Sequence, residues 1–264
     1  MDEVLAGDTG ISNSVEAALA QIPGWEGAKP KELFGGLSNQ TWLVEAGNRR
    51  AVLKIDEHPR GPPFNTRAAE MQVQTQAAQA GLASAVIFAS DTVYLTEYID
   101  GNVWSSDSLD ENENLEQLAA ALRELHDVPR TGRTFDPVGA ARSYAQCITG
   151  ANTDRVRDSM QMIEAMPEPT NLCCCHNDLV AANIIATPEL RFLDWEYACD
   201  NDPLFDLATI VAHHRLPAER SDYLLNAYFE GDGQRWREPL ARQIKLYETL
   251  LWLWEAARPR GEMA

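Results

Sequence analysis

Positively charged residues are scarce in this sequence. Its 264 residues include 22 lysines and arginines against 40 aspartates and glutamates, so the formal net charge is −18. A surface this acidic repels nucleic-acid phosphates and anionic lipid headgroups, so we expect no nucleic-acid partner and no membrane partner. The same charge attracts a cationic ligand, although solubility alone accounts for many acidic surfaces.

Long hydrophobic runs are absent as well. No stretch approaches the roughly 18 consecutive apolar residues that a membrane-spanning helix requires. Residues 1–10 contain three acidic side chains and no lysine or arginine, unlike the basic start of a signal peptide. We therefore expect a cytoplasmic protein. The sequence does not predict its oligomeric state.

Cysteines are few, and their spacing is not that of a typical metal site. The sequence contains five of them, at Cys147, Cys173, Cys174, Cys175 and Cys199. None forms the Cys-x-x-Cys pair common in zinc sites. Adjacent residues of a strand point to opposite faces, so three consecutive cysteines cannot all converge on one ion. We expect reduced, buried thiols that behave as small apolar side chains.

Turn and periodicity signals divide the chain into a strand-rich first third and a mainly helical remainder. Gly47-Asn48 predicts the turn of a β-hairpin whose second strand is Ala51–Ile55. Asn65 or Thr66 is predicted to cap a helix. Hydrophobic residues at helical spacing predict another helix that ends near His126.

This pattern predicts an α+β fold with two lobes. Residues 1–98 are expected to form a β-rich N-terminal lobe with one helix, beginning with a strand at Leu33–Phe34. Residues 99–264 are expected to form a mainly helical C-terminal lobe. In that lobe we predict a helix at Arg142–Thr149 and a short strand-rich stretch at Leu172–Phe192. A cleft between two lobes is a common ligand site.

A compact motif in the second lobe carries the strongest chemical signal. It runs from His176 to Asn183 with the pattern His-x-Asp-x-x-x-x-Asn, and Asp194 follows eleven residues later. Phosphoryl transfer needs a carboxylate that accepts the hydroxyl proton, and oxygen ligands for metal ions over the phosphates. Asp178 suits the first role, and Asn183 and Asp194 suit the second. Protein kinases have the same layout of base and metal ligands.

A purely structural reading of this motif is also open. Asp178 can cap a turn, and Asn183 can bond the backbone of a left-handed turn. The short pattern His-x-Asp is common, whereas the full pattern with Asp194 at a fitting distance is not. We therefore interpret the motif as a catalytic loop, with His176 and Asp178 as catalytic residues. Asp206 is expected to anchor this loop through backbone N–H groups.

A second group of residues lies upstream. Gly36, Ser38 and Asn39 fall between two predicted strands, where glycine lets backbone N–H groups approach phosphates. Lys54 lies on an otherwise apolar strand, and such a buried charge requires a partner or a ligand. Glu70, on the predicted helix, is positioned to pair with it, as in the lysine–glutamate pair that orients nucleotide phosphates. A lysine that extends to solvent from a half-exposed strand is the alternative.

With these residues the sequence resembles the aminoglycoside phosphotransferase and choline kinase superfamily. The resemblance covers roughly residues 33–206 and is carried by Gly36–Asn39, Lys54, Leu95–Gly101, Leu122–His126, Cys175–Asn183 and Leu193–Asp206. It implies a protein-kinase-like fold with ATP in the cleft, its adenine against the linker that contains Glu97 and Tyr98. It also implies that Asp178 is the base, that Asn183 and Asp194 bind Mg²⁺, and that the helical lobe holds the acceptor.

Within this superfamily the sequence is most similar to bacterial choline and ethanolamine kinases, through His176–Asp178 and Asp194–Ala198. The second segment also resembles thiamine kinases. Aminoglycoside enzymes more often carry His-Gly-Asp and Asp-x-Gly at these places. The resemblance therefore implies a small-molecule acceptor that is cationic, with choline or ethanolamine first and thiamine as the alternative.

The acceptor site is expected to contain acidic and aromatic residues. Choline-type kinases hold a quaternary ammonium in an aromatic cage, because aromatic faces attract cations. Candidate substrate contacts are Glu196, Tyr197, Trp252 and Trp254. The two tryptophans are two residues apart on a predicted helix, so only one is expected to face the site. Trp254 shares a helical stripe with Tyr247 and is the better candidate for the core.

A different class of function also fits part of this pattern. A nucleotide-binding pseudokinase or regulatory module would keep the fold without catalysing transfer. The full set of Lys54, Asp178, Asn183 and Asp194 argues against it, because a decayed enzyme loses at least one of these groups.

Overall fold

A five-stranded antiparallel sheet forms the N-terminal part of the computed structural model, which describes residues 15–33, 40–61, 64–148 and 152–258. Its strand order is β1-β2-β3-β5-β4. The strands are β1 (Lys29–Glu32), β2 (Gln40–Ala46), β3 (Arg49–Ile55), β4 (Val86–Ala89) and β5 (Val93–Glu97). The predicted hairpin is confirmed, since β2 and β3 pair around a turn in which Gly47 has a φ of 66°. The first strand, however, precedes Leu33 instead of beginning there.

Two helices accompany this sheet. The described part of α1 covers residues 15–19, and its side chains pack with Leu53 and Leu95 in an apolar cluster. The helix α2 (Arg67–Gln79) follows β3 in the chain, and the Thr66 side chain caps it by accepting the N–H of Ala69 at 3.2 Å. The predicted cap is therefore confirmed.

The C-terminal part is mainly helical. Its helices are α3 (Asn112–His126), α4 (Pro137–Cys147), α5 (Thr153–Glu164), α6 (Pro203–His213), α7 (Ala218–Tyr228) and α8 (Arg237–Ala257). The helix predicted at Arg142–Thr149 in fact begins at Pro137. Asp136 sets this start because its carboxylate accepts the N–H of Gly139 at 2.8 Å, and a proline is favoured in a first turn.

Short strands hold the predicted catalytic loop between these helices. They are β6 (Asn102–Val103), β7 (Cys173–Cys175), β8 (Ile184–Ala186), β9 (Leu190–Phe192) and β10 (Cys199–Asn201). The strand β7 pairs with β10, and β8 pairs with both β6 and β9. The prediction of a strand-rich stretch at Leu172–Phe192 is therefore confirmed. The motif residues lie on the turns that join these strands.

The largest apolar core lies in the helical part. It contains the buried leucines of α3, together with Leu179, Phe192 and Trp195 from the segments around the motif. The connection from β5 to β6 covers residues 98–101, and the predicted lobe boundary at residues 98–99 falls in it and stays a prediction. None of the helices within the described ranges combines the length and apolar character needed to cross a bilayer.

Candidate active site

The loop that follows β7 is held by a buried carboxylate. Asp206, on α6, accepts the backbone N–H of His176 at 2.9 Å and that of Asn177 at 2.7 Å. Burial raises the pKa of Asp206, but the hydrogen bond from His126 and these backbone donors outweigh it and keep that pKa below its usual value. The expectation that Asp206 anchors the loop is confirmed.

The turn before Asp178 depends on an asparagine. Asn177 adopts a left-handed backbone conformation with a φ of 64°, which asparagine tolerates better than most residues. Its side-chain amide donates to the carbonyl of Tyr197 at 3.1 Å and accepts from Asn201 at 2.8 Å. These bonds tie the loop to the segment after Asp194. The sequence pattern gave this residue no role, although asparagine at such a turn is a recognisable signal.

Asp178 lies half-buried at the end of this turn. The Asn183 amide donates to the Asp178 backbone carbonyl at 2.8 Å and to its carboxylate at 3.2 Å. Burial raises the pKa of Asp178 to about 8, and the charges of Asp194 and Glu196 act in the same direction. The ionised form of a carboxyl group with a raised pKa is a stronger base than an ordinary carboxylate. The structure thus brings Asp178 and Asn183 together as the motif predicts.

His176 is buried in the core. Its Nε2 lies 2.8 Å from the carbonyl oxygen of Leu193, and its ring packs 5.0 Å from that of Trp195. Burial lowers the pKa of the imidazole. The ring is fully buried and cannot touch a reacting group, so we correct its predicted catalytic role to a positioning one. It connects the loop before Asp178 to the chain just ahead of Asp194.

Lys54 and Asp194 form an ion pair between β3 and the segment after β9. Lys54 Nζ lies 2.7 Å from Asp194 Oδ1. Burial lowers the pKa of Lys54, but Asp194, Glu70 and Glu196 outweigh it and hold that pKa above its ordinary value. Asp194 itself has a φ of 64°, a left-handed conformation that marks a tightly specified turn. The lysine is therefore paired and does not extend into solvent.

Glu70 and Glu196 belong to a buried network with two arginines. Arg67 Nη1 lies 2.7 Å from Glu70 Oε2, and Arg60 Nη1 lies 2.7 Å from Glu196 Oε2. The predicted pair of Lys54 with Glu70 is therefore wrong as a direct contact, because Arg67 supplies the counterion of that glutamate. Glu196 is buried in its pair with Arg60, and its predicted contact with the acceptor stays a prediction.

The segment between the two parts of the molecule contains Glu97 and Tyr98. The Tyr98 N–H donates to the carbonyl of Arg50 at 3.2 Å, and the Arg50 guanidinium lies 4.6 Å from the Tyr98 ring centre. Glu97 and Tyr98 line a cavity of about 220 Å³ together with Thr187 and Arg191. Lys54 and the motif residues do not line it, so the nucleotide role of this segment stays a prediction. Gly36, Ser38 and Asn39 lie outside the described residues.

Three tyrosines lie close enough to Asp178 for its charge to affect their pKa values. Burial is the main reason that the pKa values of Tyr144, Tyr197 and Tyr247 are raised, and the charge of Asp178 raises them further. The pKa of Tyr144 is raised to about 12. The Tyr197 ring also lies 4.9 Å from that of Phe64. Sequence reasoning selected Tyr197 but missed Tyr144 and treated Tyr247 as core. A tyrosine on a helix carries no signal of its own, since only the fold brings it to Asp178.

The two tryptophans of α8 have different surroundings. Trp252 packs against the apolar cluster of α4, α5 and α8, and the Arg155 guanidinium lies 4.0 Å from its ring centre. Trp254 lies outside that cluster, and Arg258 lies 4.4 Å from its ring centre. The expectation that Trp254 belongs to the core is therefore wrong. Trp254 follows Tyr247 by seven residues, which puts the two on one helical stripe.

The residues around Asp178 suit a hard divalent cation. Asp178, Asn183 and Asp194 offer carboxylate and amide oxygens, the ligands that Mg²⁺ prefers. Burial raises the pKa of Glu196, and the charge of Asp194 raises it further, whereas Lys54 and Arg60 lower it. The donor set therefore fits Mg²⁺ bound together with nucleotide phosphates.

Known proteins resemble this chain in sequence and in structure. Protein LicA of Haemophilus influenzae is 32% identical over 212 residues, which cover 75% of this chain and 62% of that protein. The match thus spans less than two thirds of the length of this relative. Thiamine kinase of Salmonella typhi is 28% identical over 211 residues, which cover 77% of this chain and 73% of that protein.

A solved structure shares the architecture. The choline/ethanolamine kinase family protein from Mesorhizobium loti superposes with a TM-score of 0.70 at 27% identity, covering 92% of this chain and 85% of that one. The predicted two-lobed, protein-kinase-like α+β fold is thereby confirmed. A family model described as "Phosphotransferase enzyme family" matches residues 30–242. The chain therefore belongs to the phosphotransferase enzyme family.

Proposed function

We propose that this phosphotransferase uses ATP and Mg²⁺ to phosphorylate the hydroxyl of a small cationic metabolite, with choline or ethanolamine as the first candidates. One observation carries the proposal. A part-buried lysine–aspartate pair, Lys54 and Asp194, lies near a carboxylate of raised pKa, Asp178, whose side chain is bonded to Asn183. A protein that transfers phosphate to an alcohol needs these parts, namely a base, oxygen ligands for a metal and a cation for the phosphates.

Asp178 acts as the base in this mechanism. Its carboxylate accepts the proton of the acceptor hydroxyl, whose oxygen then forms a bond to the γ-phosphorus while the bond from that phosphorus to the β–γ bridging oxygen breaks. The Asn183 amide, at 3.2 Å from the Asp178 carboxylate, keeps the base oriented. Asn183 and Asp194 would hold Mg²⁺, which when bound offsets the phosphate charge. Lys54 would bind the α- and β-phosphates as in related kinases.

Aromatic and acidic groups support a cationic acceptor. The charge of Asp178 affects the pKa values of Tyr144, Tyr197 and Tyr247, which makes these three tyrosines the candidate aromatic contacts of an acceptor bound at Asp178. Aromatic faces attract ammonium groups by about 0.5–2 kcal/mol each. The net charge of −18 acts in the same direction over a longer range.

Thiamine is the second candidate. A relative that is 28% identical is a thiamine kinase, and thiamine combines a primary hydroxyl with a cationic ring. The same base and the same aromatic surroundings serve both acceptors. A nucleotide-binding module without transfer is the alternative of another class. It would require neither a carboxylate of raised pKa nor an acceptor site beside it.

An acceptor screen tests the proposal. ADP release is measured with choline, ethanolamine, thiamine, amino sugars and aminoglycosides, in the presence and absence of Mg²⁺. We expect Mg²⁺-dependent release with one of the cationic alcohols and much slower release with the aminoglycosides. Nucleotide binding without ADP release for any acceptor would favour the non-enzymatic alternative. The strongest release with an amino sugar or an aminoglycoside would reject choline, ethanolamine and thiamine as the acceptor and leave the phosphotransferase activity standing.

A further inference from the structure

A group of soft metal ligands lies next to the catalytic loop but outside the site described above. Among the residues that the structure describes, it is formed by His126, Cys173 and Cys175, whose potential ligand atoms all lie within 4.8 Å of one another. The two sulfur atoms are 3.5 Å apart. Neither thiol has a role in the proposed phosphoryl transfer.

The strand geometry explains why these side chains meet. Residues two apart on a strand share a face, so Cys173 and Cys175 on β7 point the same way, while Cys174 points to the opposite side and is fully buried in the core. His126, the last residue of α3, approaches from the same side as the two sulfur atoms. The rule that three consecutive cysteines cannot converge on one ion therefore holds, yet the first and third cysteine do converge.

The distance of 3.5 Å between the two sulfur atoms is close to the one expected for two thiolates on a tetrahedral ion. With metal–sulfur bonds of about 2.3 Å, two thiolates on one tetrahedral Zn²⁺ lie about 3.7 Å apart. The present contacts of these thiols are weak, since Cys173 Sγ and Cys175 Sγ lie 3.7 and 3.6 Å from the carbonyl oxygen of Asn201. A bound cation would replace these contacts by strong bonds.

The surroundings of the histidine are those of a metal ligand. His126 Nε2 lies 3.2 Å from the buried Asp206 carboxylate, to which it donates, so Nδ1 keeps its lone pair. A carboxylate on the far nitrogen is the usual partner of a metal-bound histidine. The Tyr228 hydroxyl lies 2.6 Å from Nδ1 and donates to this lone pair, so a metal ion bound by Nδ1 would replace that hydrogen bond.

We propose that His126, Cys173 and Cys175 bind a thiophilic divalent cation of the zinc class, with a water molecule as the fourth ligand. The ion would join α3 to β7, and through Asp206 it would be linked to the catalytic loop. Its role is then to stabilise the fold around that loop, since an ion that binds the folded chain raises its stability.

Metal binding to the full-length, metal-free protein tests this proposal without any activity assay. We expect Cd²⁺ to give thiolate charge-transfer absorption with one ion per chain, and we expect Zn²⁺ to displace it. Zn²⁺ at about 100 times its Kd should raise Tm by about 5–10 °C, whereas Mg²⁺ should not produce the absorption. The variant Cys173→Ser should bind at least about tenfold more weakly, because a ligand is lost.

The exposed Cys147 provides the matched control, because Cys147→Ser removes a thiol elsewhere in the chain. This variant should bind as the parent protein does. Equal binding by Cys173→Ser and the parent, or loss of binding in Cys147→Ser, would overturn the proposal. If Cys173→Ser does not fold, the Cd²⁺ absorption of Cys173→Ala and the Zn²⁺-dependent rise in Tm of the parent protein test the site instead. A parent protein with no Zn²⁺-dependent rise in Tm would also reject the site.

Discussion

Asp206 illustrates how one side chain positions another. Its two carboxylate oxygens accept the N–H groups of His176 and Asn177, which immediately precede Asp178. An ionised carboxylate can accept both bonds at once, whereas any neutral side chain of the same shape can accept only one of them well. The position of Asp178, the proposed base, therefore depends on a charge about thirty residues away in sequence.

The substitution Asp206→Asn tests this dependence. The amide oxygen keeps one of the two bonds and leaves the other N–H group facing an NH₂ group, so we expect a loss of about 2–4 kcal/mol in the free energy of unfolding. Tm should then fall by roughly 5–15 °C in a thermal melt, while the exposed control Asp110→Asn should change it little. An unchanged Tm for Asp206→Asn would contradict the anchoring role.

The same carboxylate gives a pH dependence of stability. The pKa of Asp206 in the folded protein lies below its ordinary value of 3.8, so its contribution is present above that value and is lost as the pH falls through the lowered pKa. We therefore expect the Tm difference between the parent protein and Asp206→Asn to be largest near pH 7 and to shrink under acid conditions. A difference that grows below pH 4 would reverse the sign and reject this account.

Asp178 is the proposed base of the chemical step. We expect Asp178→Asn to keep the fold and nucleotide affinity and to lower kcat by about 10²–10⁴, the usual contribution of a positioned base. Steady-state kinetics and a nucleotide-binding titration separate the two effects. The control Asp110→Asn should be kinetically silent. Near-normal turnover by folded Asp178→Asn would remove this carboxylate from the mechanism.

At the scale of elements, α4 and α8 bring tyrosines to the loop. Burial and the nearby Asp178 charge act on both Tyr144 and Tyr247, which lie in separate helices. Helices that pack on each other beside the loop can thus form one wall of the acceptor site. The tryptophans of α8 are less direct candidates, because each already has an arginine of the protein over its ring.

The substitution Tyr144→Leu tests this wall. Removal of one aromatic face should raise the KM for a cationic acceptor by about 2- to 30-fold, the kinetic equivalent of about 0.5–2 kcal/mol, with a smaller effect on kcat. Tyr223→Leu on α7 is the matched control, because the Tyr223 hydroxyl pairs with Glu116 away from the loop. Equal KM values for Tyr144→Leu and the parent protein would exclude the ring from acceptor binding.

Local patterns predicted the elements well, and long-range pairings poorly. The turn at Gly47 and the cap at Thr66 are set by neighbouring residues, so the sequence alone identifies them. The contact between Asp178 and Asn183 within the motif was predictable for the same reason, and the roles of base and metal ligand stay predictions. The partner of Lys54 was not, because Arg67 occupies Glu70 and leaves Asp194 to the lysine, a choice that only the assembled fold makes.

At the scale of the whole molecule, charge distinguishes between acceptor classes. A chain with a net charge of −18 creates a negative potential that concentrates cations, and salt screens it over about 8–10 Å. We expect kcat/KM for the true acceptor to fall as ionic strength rises, while kcat changes little. Steady-state kinetics in increasing NaCl measure both values, with an uncharged alcohol as the control. A flat profile for the best acceptor would contradict a cationic substrate.

Identification of the product tests the central claim most directly. The protein is incubated with ATP, Mg²⁺ and an equimolar mixture of choline, ethanolamine and thiamine, and ³¹P NMR with mass spectrometry identifies the phosphorylated species. We predict one phosphomonoester of a cationic alcohol, formed in a one-to-one ratio with ADP and about 10²–10⁴ times more slowly by Asp178→Asn. The account would be contradicted if no acceptor were phosphorylated, or if Asp178→Asn formed the product at the rate of the parent protein.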